Sequence, residues 1–230
     1  MATSKKDLKL LFVNPCLRPG FFTKKLPVGL GSVMTYFHEN GYKFTLLDTD
    51  INEYDDHYVE NYIKNNHFDI ILAGSIVTHY KWMKWFVNMT KKHQPNSKIV
   101  IGNSVAGSIP ELFLQKTKCD VVVIGEGEIS GYEAVEAIRL GKDLSNVEGI
   151  AFRDNQGNVI ENKPREAAKI NEYLNEIFKY LFVETNPIPV KYVASKMGLC
   201  GLQYRLPLCN PSADAQKVLD ELIRNYNLHE

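Results

Sequence analysis

The sequence predicts an α/β protein: a doubly wound parallel sheet with an added β-hairpin and a C-terminal helical extension. Three observations predict it. Strand-like and helix-like segments alternate from residue 8 to residue 140, as they do when strand–helix units are joined by short connections. Several of the strand segments ("KLLFV", "DIILA", "KIVI", "DVVVI") are continuously apolar, the pattern of strands covered on both faces. Residues 173–230 then carry helical patterns and no strand, so they cannot continue the sheet.

The elements follow in order. Leu8–Asn14 is an apolar run ending at Pro15 and reads as the first strand. Leu30–Asn40 has apolar residues at 30, 33, 34 and 37, a helical period, and stops at Asn40-Gly41. Lys43–Asp48 is the second strand, and Asp56–Asn65 a helix through Val59, Tyr62 and Ile63. Asp69–Ser75 is the third strand. Trp82–His93 is a helix stopped by Gln94-Pro95-Asn96. Lys98–Gly102 is the fourth strand, and Ile109–Gln115 a short helix with Pro110 in its first turn. Asp120–Gly125 is the fifth strand, followed by a helix over Gly131–Leu140 that ends at Gly141. In residues 146–167 two alternating runs flank Asp154-Asn155-Gln156-Gly157, a hairpin signal, and this hairpin is expected to extend an edge of the sheet. "NEYLNEIFKYLFVE" (171–184) reads as helix. Thr185-Asn186-Pro187 stops it and can open the next. Ser212 is placed to cap a last helix with Leu219, Leu222 and Ile223 on one face. The expected domains are residues 1–172 and 173–230.

The 230 residues carry 27 basic and 27 acidic side chains, a net charge of zero. That balance argues against a nucleic-acid partner, since phosphate binding needs a basic surplus or stripe. The nearest stripe, Lys81, Lys84, Lys91, Lys92 and His93, reads as the wet side of a helix. Cys16, Cys119, Cys200 and Cys209 include no C-x-x-C pair, which disfavours zinc ribbons and thioredoxin-like redox sites. No disulfide framework is expected at this size. No apolar stretch approaches the ~20 residues of a membrane span. The expectation is a soluble, cytoplasmic chain with no membrane partner.

In open parallel sheets ligands bind beyond the carboxyl ends of the strands, at the switch in strand order. The loops there are "NPCLRPGFF" (14–22), "DTDINEY" (48–54), "GSIVTHY" (74–80), "GNSVAGS" (102–108) and "GEGEISG" (125–131). Four of the five contain glycine, which lets backbone N–H groups approach a ligand. Ser75, Thr78, Ser104 and Ser108 belong to the same loops. Each glycine loop alone is also readable as a plain turn; four of them along one border point to a ligand crevice. No G-x-G-x-x-G follows the first strand and no G-x-x-x-x-G-K-[ST] occurs, so dinucleotide and P-loop readings fail. His79 has no evident Cys or Asp partner; a ligand-facing role ranks above a catalytic base, and neither is its leading reading. Glu126 and Glu128 read first as turn-setting carboxylates that hydrogen-bond local N–H groups, and second as an acid–base pair.

Residues 8–172 resemble the cobalamin-binding domain that precedes many radical-SAM enzymes. The resemblance lies in "FVNP", "LPVGLGSVMTYFHENGYKFTLLDTD", "DIILAGSIVTHY", "KIVIGNSVAGSIPE", "CDVVVIGEGE" and "LSNVEGIAFRDNQGNVIENKP", in that order. It implies a Rossmann-like (flavodoxin-like) fold holding a corrin ring over the strand ends. It also implies cofactor contacts from Asn14, from Ser75, Ile76, Val77 and Thr78, from Gly102, Asn103, Ser104 and Val105, and from Gly125, Glu126, Gly127 and Glu128. Two departures stand out. Where the family has a Gly-Gly-Pro-His-like loop, this chain has Gly102-Asn103-Ser104-Val105. The Asp-x-His-x-x-Gly motif that supplies an axial histidine in other cobalamin proteins is absent after the first strand, so a bound cobalamin would lack that ligand. The Cys-x-x-x-Cys-x-x-Cys motif of radical-SAM cores is also missing. No catalytic residue and no direct protein metal ligand is assigned.

Residues 178–230 resemble the C-terminal helical tail of dihydrodipicolinate synthase, through "FVETNPIPVKYVASKMGL" and "YRLPLCNPSADAQKVLDELIRNYNL". That family's Schiff-base lysine lies on a barrel strand that this chain does not have, and Lys191 matches a structural part of the tail. Three functions follow as expectations. The first is a cobalamin-binding module, with cobalamin as cofactor. The second is a natural or engineered chimera with a structural role, its C-terminal helices packing or forming a homodimer. The third is an enzyme, either a methyltransferase component that needs a partner chain or an aldolase relic.

Overall fold

The computed structural model describes residues 4, 7–20, 27–165, 177–226 and 228. The chain divides into two compact units, Met1–Arg165 and Glu166–Glu230, and each is described by itself.

The first unit is built on a seven-stranded sheet: β1 (Leu10–Asn14), β2 (Phe44–Asp48), β3 (Ile70–Gly74), β4 (Lys98–Gly102), β5 (Val121–Val123), β6 (Ile150–Arg153) and β7 (Val159–Glu161). Its spatial order is β2-β1-β3-β4-β5-β6-β7. The first five strands pair in parallel, and β6 and β7 add antiparallel at the β5 edge. The chain order reverses at β1, which places the switch point between β1 and β3. The fold is therefore the expected Rossmann-like α/β sheet with its hairpin on one edge.

Successive side chains of a strand point to opposite faces, and this explains why these strands are apolar throughout. Leu11, Val13, Ile71, Ala73, Ile99, Ile101 and Val122 enter one core. They meet α2 (Asp56–Asn65), α3 (Tyr80–His93) and α5 (Pro110–Lys116) through Ile63, Phe86 and Phe113. Leu10, Phe12, Ile70, Leu72, Val100, Val121 and Val123 enter the other. Those are covered by α1 (Val28–Glu39) and α6 (Gly127–Leu140) through Phe37, Ala134 and Val135. A run read only by hydropathy cannot alternate when both faces are dry.

The pole of the sheet away from the strand carboxyl ends is closed by polar contacts. The buried Gln94 donates from Nε2 to the carbonyls of Ile63 and Asn66. Its Oε1 accepts from Phe68 N and Ser97 Oγ. One amide thus ties the end of α2 to the approaches of β3 and β4. Within the expected basic stripe, Lys91 is not on the wet side. Its side chain is only 10% exposed and pairs with Asp120 at 2.7 Å. His93 is paired with Glu60 at 2.7 Å.

Helix α6 begins at Gly127, four residues ahead of the expected start, so the second half of Gly-Glu-Gly-Glu is its first turn. Gly141 closes it in the left-handed conformation, φ +62°. A four-residue helix, α4 (Ser104–Gly107), and a 3₁₀ turn at Val77–His79 lie in segments that read as irregular loops in the sequence.

The second unit holds α7 (Ile188–Lys196) and α8 (Ala213–Asn225). Residues 177–180 are helical, but 181–184 are turns and bends, so the expected 171–184 helix stops at Tyr180, short of its expected end; residues 171–176 lie outside the described residues. Ser212 Oγ accepts from Ala215 N at 3.2 Å and caps α8 as expected. Leu219, Leu222 and Ile223 pack on Tyr192 and Val193.

Candidate functional site

All five parallel strands send their post-strand loops to one cavity of about 840 Å³. This is within the size of cofactor pockets, roughly 300–1,000 Å³. Its floor is apolar, made by Phe12, Leu72 and Val100 from the middle of their strands and Val123 from the carboxyl end of β5. One wall is the start of α1 (Val28–Leu30, Val33) and another the start of α6. Charged groups stand at the mouth: Arg18, Asp50, Glu126 and Glu128.

The residues expected at the site divide into two sets. Asn14, Ser75, Ile76, Thr78, Gly102, Asn103, Gly125, Glu126, Gly127 and Glu128 all line the cavity. Val77, Ser104 and Val105 are not among its lining residues. Helix α4 turns Val105 fully into the core. Ser104 Oγ accepts from Val77 N at 3.2 Å, so Ser104 braces the neighbouring loop. Val77 is 51% exposed.

Backbone geometry keeps the cavity open. A Cβ on Gly74 would stand 3.3 Å from the carbonyl oxygen of Gly102, and one on Gly127 would stand 3.1 Å from Val33 Cγ2. Gly125 has φ +78°, a conformation that disfavours any side chain. Asn103 is the exception: it sits at φ +62°, ψ −179°, a region that is essentially glycine's. Its Oδ1 accepts from Ser104 N at 2.6 Å and holds the turn. Glu126 makes no side-chain capping hydrogen bond to α6. The turn-setting reading of that carboxylate is therefore not what the structure contains; it faces the cavity instead.

Asn14 Nδ2 donates to Asp48 Oδ1 at 3.0 Å, linking the first two strand ends. The same carboxylate oxygen accepts from the N–H groups of Asp50 and Ile51. His79 lines the cavity, half-buried, with Nδ1 at 3.2 Å from Ser75 Oγ. Its ring stacks on Trp82 at 5.1 Å with an interplanar angle of 4°. Burial lowers its pKa, partly opposed by the Asp56 carboxylate, which favours a neutral imidazole. Among the described residues no cluster of His, Cys, Asp and Glu is suited to holding a metal ion.

Sequence reasoning missed the floor and the α1 wall. The floor residues were visible only as members of apolar strands, and which face each occupies is set by the sheet. Arg18 and Asp50 lie in loops singled out from the sequence, without being named individually.

This geometry can hold a flat ligand with an apolar face and a polar rim. Residues 24–135 match the family model described as B12 binding domain, and residues 143–226 match that of the dihydrodipicolinate synthetase family. Among solved structures, the cobalamin-dependent S-adenosylmethionine radical enzyme OxsB with aqua-cobalamin and S-adenosylmethionine bound superposes with a TM-score of 0.62 at 22% identity. It covers 72% of this chain and 23% of that one. The radical S-adenosylmethionine methyltransferase TsrM from Kitasatospora setae, with cobalamin and an iron–sulfur cluster bound, superposes with a TM-score of 0.59 at 16% identity, covering 71% and 30%. At these identities the likeness establishes the fold.

Toward the C-terminus, 4-hydroxy-tetrahydrodipicolinate synthase of Aquifex aeolicus is 44% identical over 69 residues, 30% of this chain and 24% of the enzyme. That of Campylobacter curvus is 45% identical over 64 residues, 27% and 22%. The chain spans about a quarter of the length of these relatives. It thus joins a Rossmann-like segment similar to B12 binding domains to a C-terminal segment similar to the dihydrodipicolinate synthetase family.

Proposed function

We propose that this chain is a cobalamin (corrinoid) binding module without a radical-SAM core in these 230 residues, its binding domain being residues 1–172 and its helical tail residues 173–230. The observation that carries the reading is the convergence of five post-strand loops on one apolar-floored cavity at the switch point of the sheet. When bound, a corrinoid supplies cobalt-centred group-transfer or radical chemistry. The residues of this chain bind and orient. Phe12, Leu72, Val100 and Val123 offer an apolar bed to a flat ring and exclude water from it. Backbone N–H groups of the Gly102–Asn103 and Gly125–Glu128 loops, with Asn14, Ser75 and Thr78, suit the amide carbonyls of the rim, and Glu126 and Glu128 suit its amide N–H groups. With no catalytic residue assigned, a partner would carry the reaction site.

Mixing purified protein with hydroxocobalamin and following both the visible spectrum and co-elution tests this. A bound, co-eluting chromophore is expected. Unchanged absorbance with no co-elution would end the reading.

A second reading is favoured by the tail, where Phe178, Phe182, Leu199 and Leu206 are 52%, 68%, 72% and 93% exposed. In it the chain is a structural chimera whose C-terminal helices mediate a homodimer. Deleting residues 178–230 would then lower the melting temperature or change the oligomeric state. All four cysteines are free thiols, which suits a reducing cytoplasmic setting. Among the described residues no helix is long and apolar enough to cross a membrane.

A further inference from the structure

We propose that Asn103 is a specificity-determining residue of the cavity, its Nδ2 group donating to a carbonyl oxygen on the rim of the bound ligand, where a corrinoid carries its peripheral amides. The assignment rests on the cobalamin-binding reading and deepens it. It falls where this chain departs from the Gly-Gly-Pro-His-like loop of the family that the segment resembles.

The backbone of Asn103 sits at φ +62°, ψ −179°, a region that is essentially glycine's. A side chain there is costly, and such residues persist where the surroundings fix them and cluster at functional sites. The surroundings do fix this one. Asn103 O accepts from Ala106 N at 3.2 Å and from Gly107 N at 2.8 Å, and Val105 N donates to Ser75 O at 2.9 Å. Gly74 leaves room on the other side, since a Cβ on it would stand 3.5 Å from Asn103 Cβ. A glycine at 103 would make every one of these backbone contacts at no steric cost. What the strain retains is therefore the side chain.

That side chain is half used. Oδ1 accepts from Ser104 N at 2.6 Å, and because an N–H needs an oxygen there, the orientation of the amide is set. Nδ2, which carries two donors, has no hydrogen-bond partner among the described residues. Asn103 is exposed and lines the cavity, whereas Ser104, which holds Oδ1, is not among the lining residues. The free end of the amide is the end left for an occupant. Asp50, Glu126 and Glu128 line the same cavity with Arg18. A primary amide can accept from Asn103 and donate to a carboxylate; an ionised acid can only accept, and meets more negative than positive charge.

The test uses the full chain with hydroxocobalamin as the probe. It reads the melting temperature without cofactor and the dissociation constant from the visible spectrum. Asn103→Asp keeps the Ser104 contact and the strained Cβ, and puts an oxygen in place of Nδ2. It is expected to keep the melting temperature and to bind roughly tenfold or more weakly, although the added negative charge would favour the cationic aqua form of the probe. Asn103→Gly removes the strain and the donor together. It is expected to melt higher and yet bind roughly three- to tenfold more weakly, because strain present with and without ligand cancels from the affinity. The same cofactor with its peripheral amides hydrolysed to carboxylates should bind the unsubstituted protein roughly tenfold or more weakly.

If hydroxocobalamin binds the unsubstituted protein and either variant equally, Asn103 only braces its own loop; the assignment is wrong and the binding module stands. Equal binding of the hydrolysed cofactor overturns the amide as the group that is read, and again leaves the module standing. Should Asn103→Asp fail to fold, Asn103→Gly decides alone. If the unsubstituted protein takes up no hydroxocobalamin, both readings fall together.

Discussion

Arg153, on the first hairpin strand β6, donates from Nη2 to the carbonyl oxygen of Leu114 in helix α5 at 2.6 Å. The same nitrogen reaches Thr117 O at 2.6 Å, and Nη1 reaches Cys119 O at 2.6 Å. The last carbonyls of a helix have no intrahelical donor, and a cation at that end also meets the negative pole of the helix. The edge hairpin is therefore tied to the body of the sheet by a guanidinium as well as by the strand ladder.

Replacing that guanidinium should be costly. Hydrogen bonds from charged donors contribute about 1.5–3 kcal/mol each and are not additive. Arg153→Met is expected to lower unfolding stability by about 2–4 kcal/mol in urea titration. Arg153→Lys should recover only part, since an ammonium lacks the planar fork. A change within about 0.5 kcal/mol would show the three contacts to be idle.

Asn103 makes the opposite case. Its backbone conformation is strained by about 1–3 kcal/mol. A glycine there relieves the strain at the loss of a few tenths from the cap and about 0.5–1 kcal/mol of chain entropy. Asn103→Gly should stabilise the fold by about 1 kcal/mol, which is about 2–4 °C in melting temperature for a chain of this size. Asn103→Ala, which loses the Ser104 contact and keeps a Cβ in the strained region, should destabilise it. Thermal unfolding of both variants in parallel checks the sign; a glycine variant that melts lower would refute the strain.

The Glu60 carboxylate sits below its ordinary pKa, chiefly because His93 donates a hydrogen bond to it. A carboxyl group whose folded pKa is depressed adds stability above its unfolded value and loses it as pH falls through the folded one. The stabilisation from this pair is thus expected in full above about pH 4.5 and to fade below it. Comparing urea midpoints of the unsubstituted protein and Glu60→Gln across that range should show a gap at neutral pH that closes in acid. A gap independent of pH would assign it to packing.

Cys119 is fully buried, and burial pushes its thiol pKa up to about 12. Cys200 and Cys209 are exposed. Iodoacetamide at pH about 8 should label the two tail cysteines in the native protein and reach Cys119 only after unfolding. Peptide mass analysis reads this directly, and labelling of native Cys119 would place it outside the core.

Much of the fold was legible in the residues. Asp56–Asn65 and Lys98–Gly102 are helix and strand at the limits their patterns imply. Asp154-Asn155-Gln156-Gly157 turns the hairpin, and Asp154 Oδ1 accepts from Gln156 N and Asn158 N at 2.8 Å. Ser212 caps α8. These are short-range preferences, and neighbours in sequence are enough to satisfy them.

Less of the site was legible. Gly-Glu-Gly-Glu reads as the end of a strand, but its second glycine opens a helix, because the turn at Gly125 redirects the chain at once. Val105 shares a loop with Asn103 and yet faces the core, since one helical turn separates their directions. Lys91 reads as a solvated charge and is held against Asp120, which follows β4 and α5 in the chain.

By itself the sequence determined the class of fold, the order of its elements and the five loops that carry the candidate site, because apolar period, glycine and capping residues act locally. Only the tertiary structure decided which face of each strand is the floor of the cavity, which loop residues turn inward, and that His79 is clamped between Ser75 and Trp82. Those outcomes depend on strand order and on contacts between residues far apart in the chain, and no local preference encodes them.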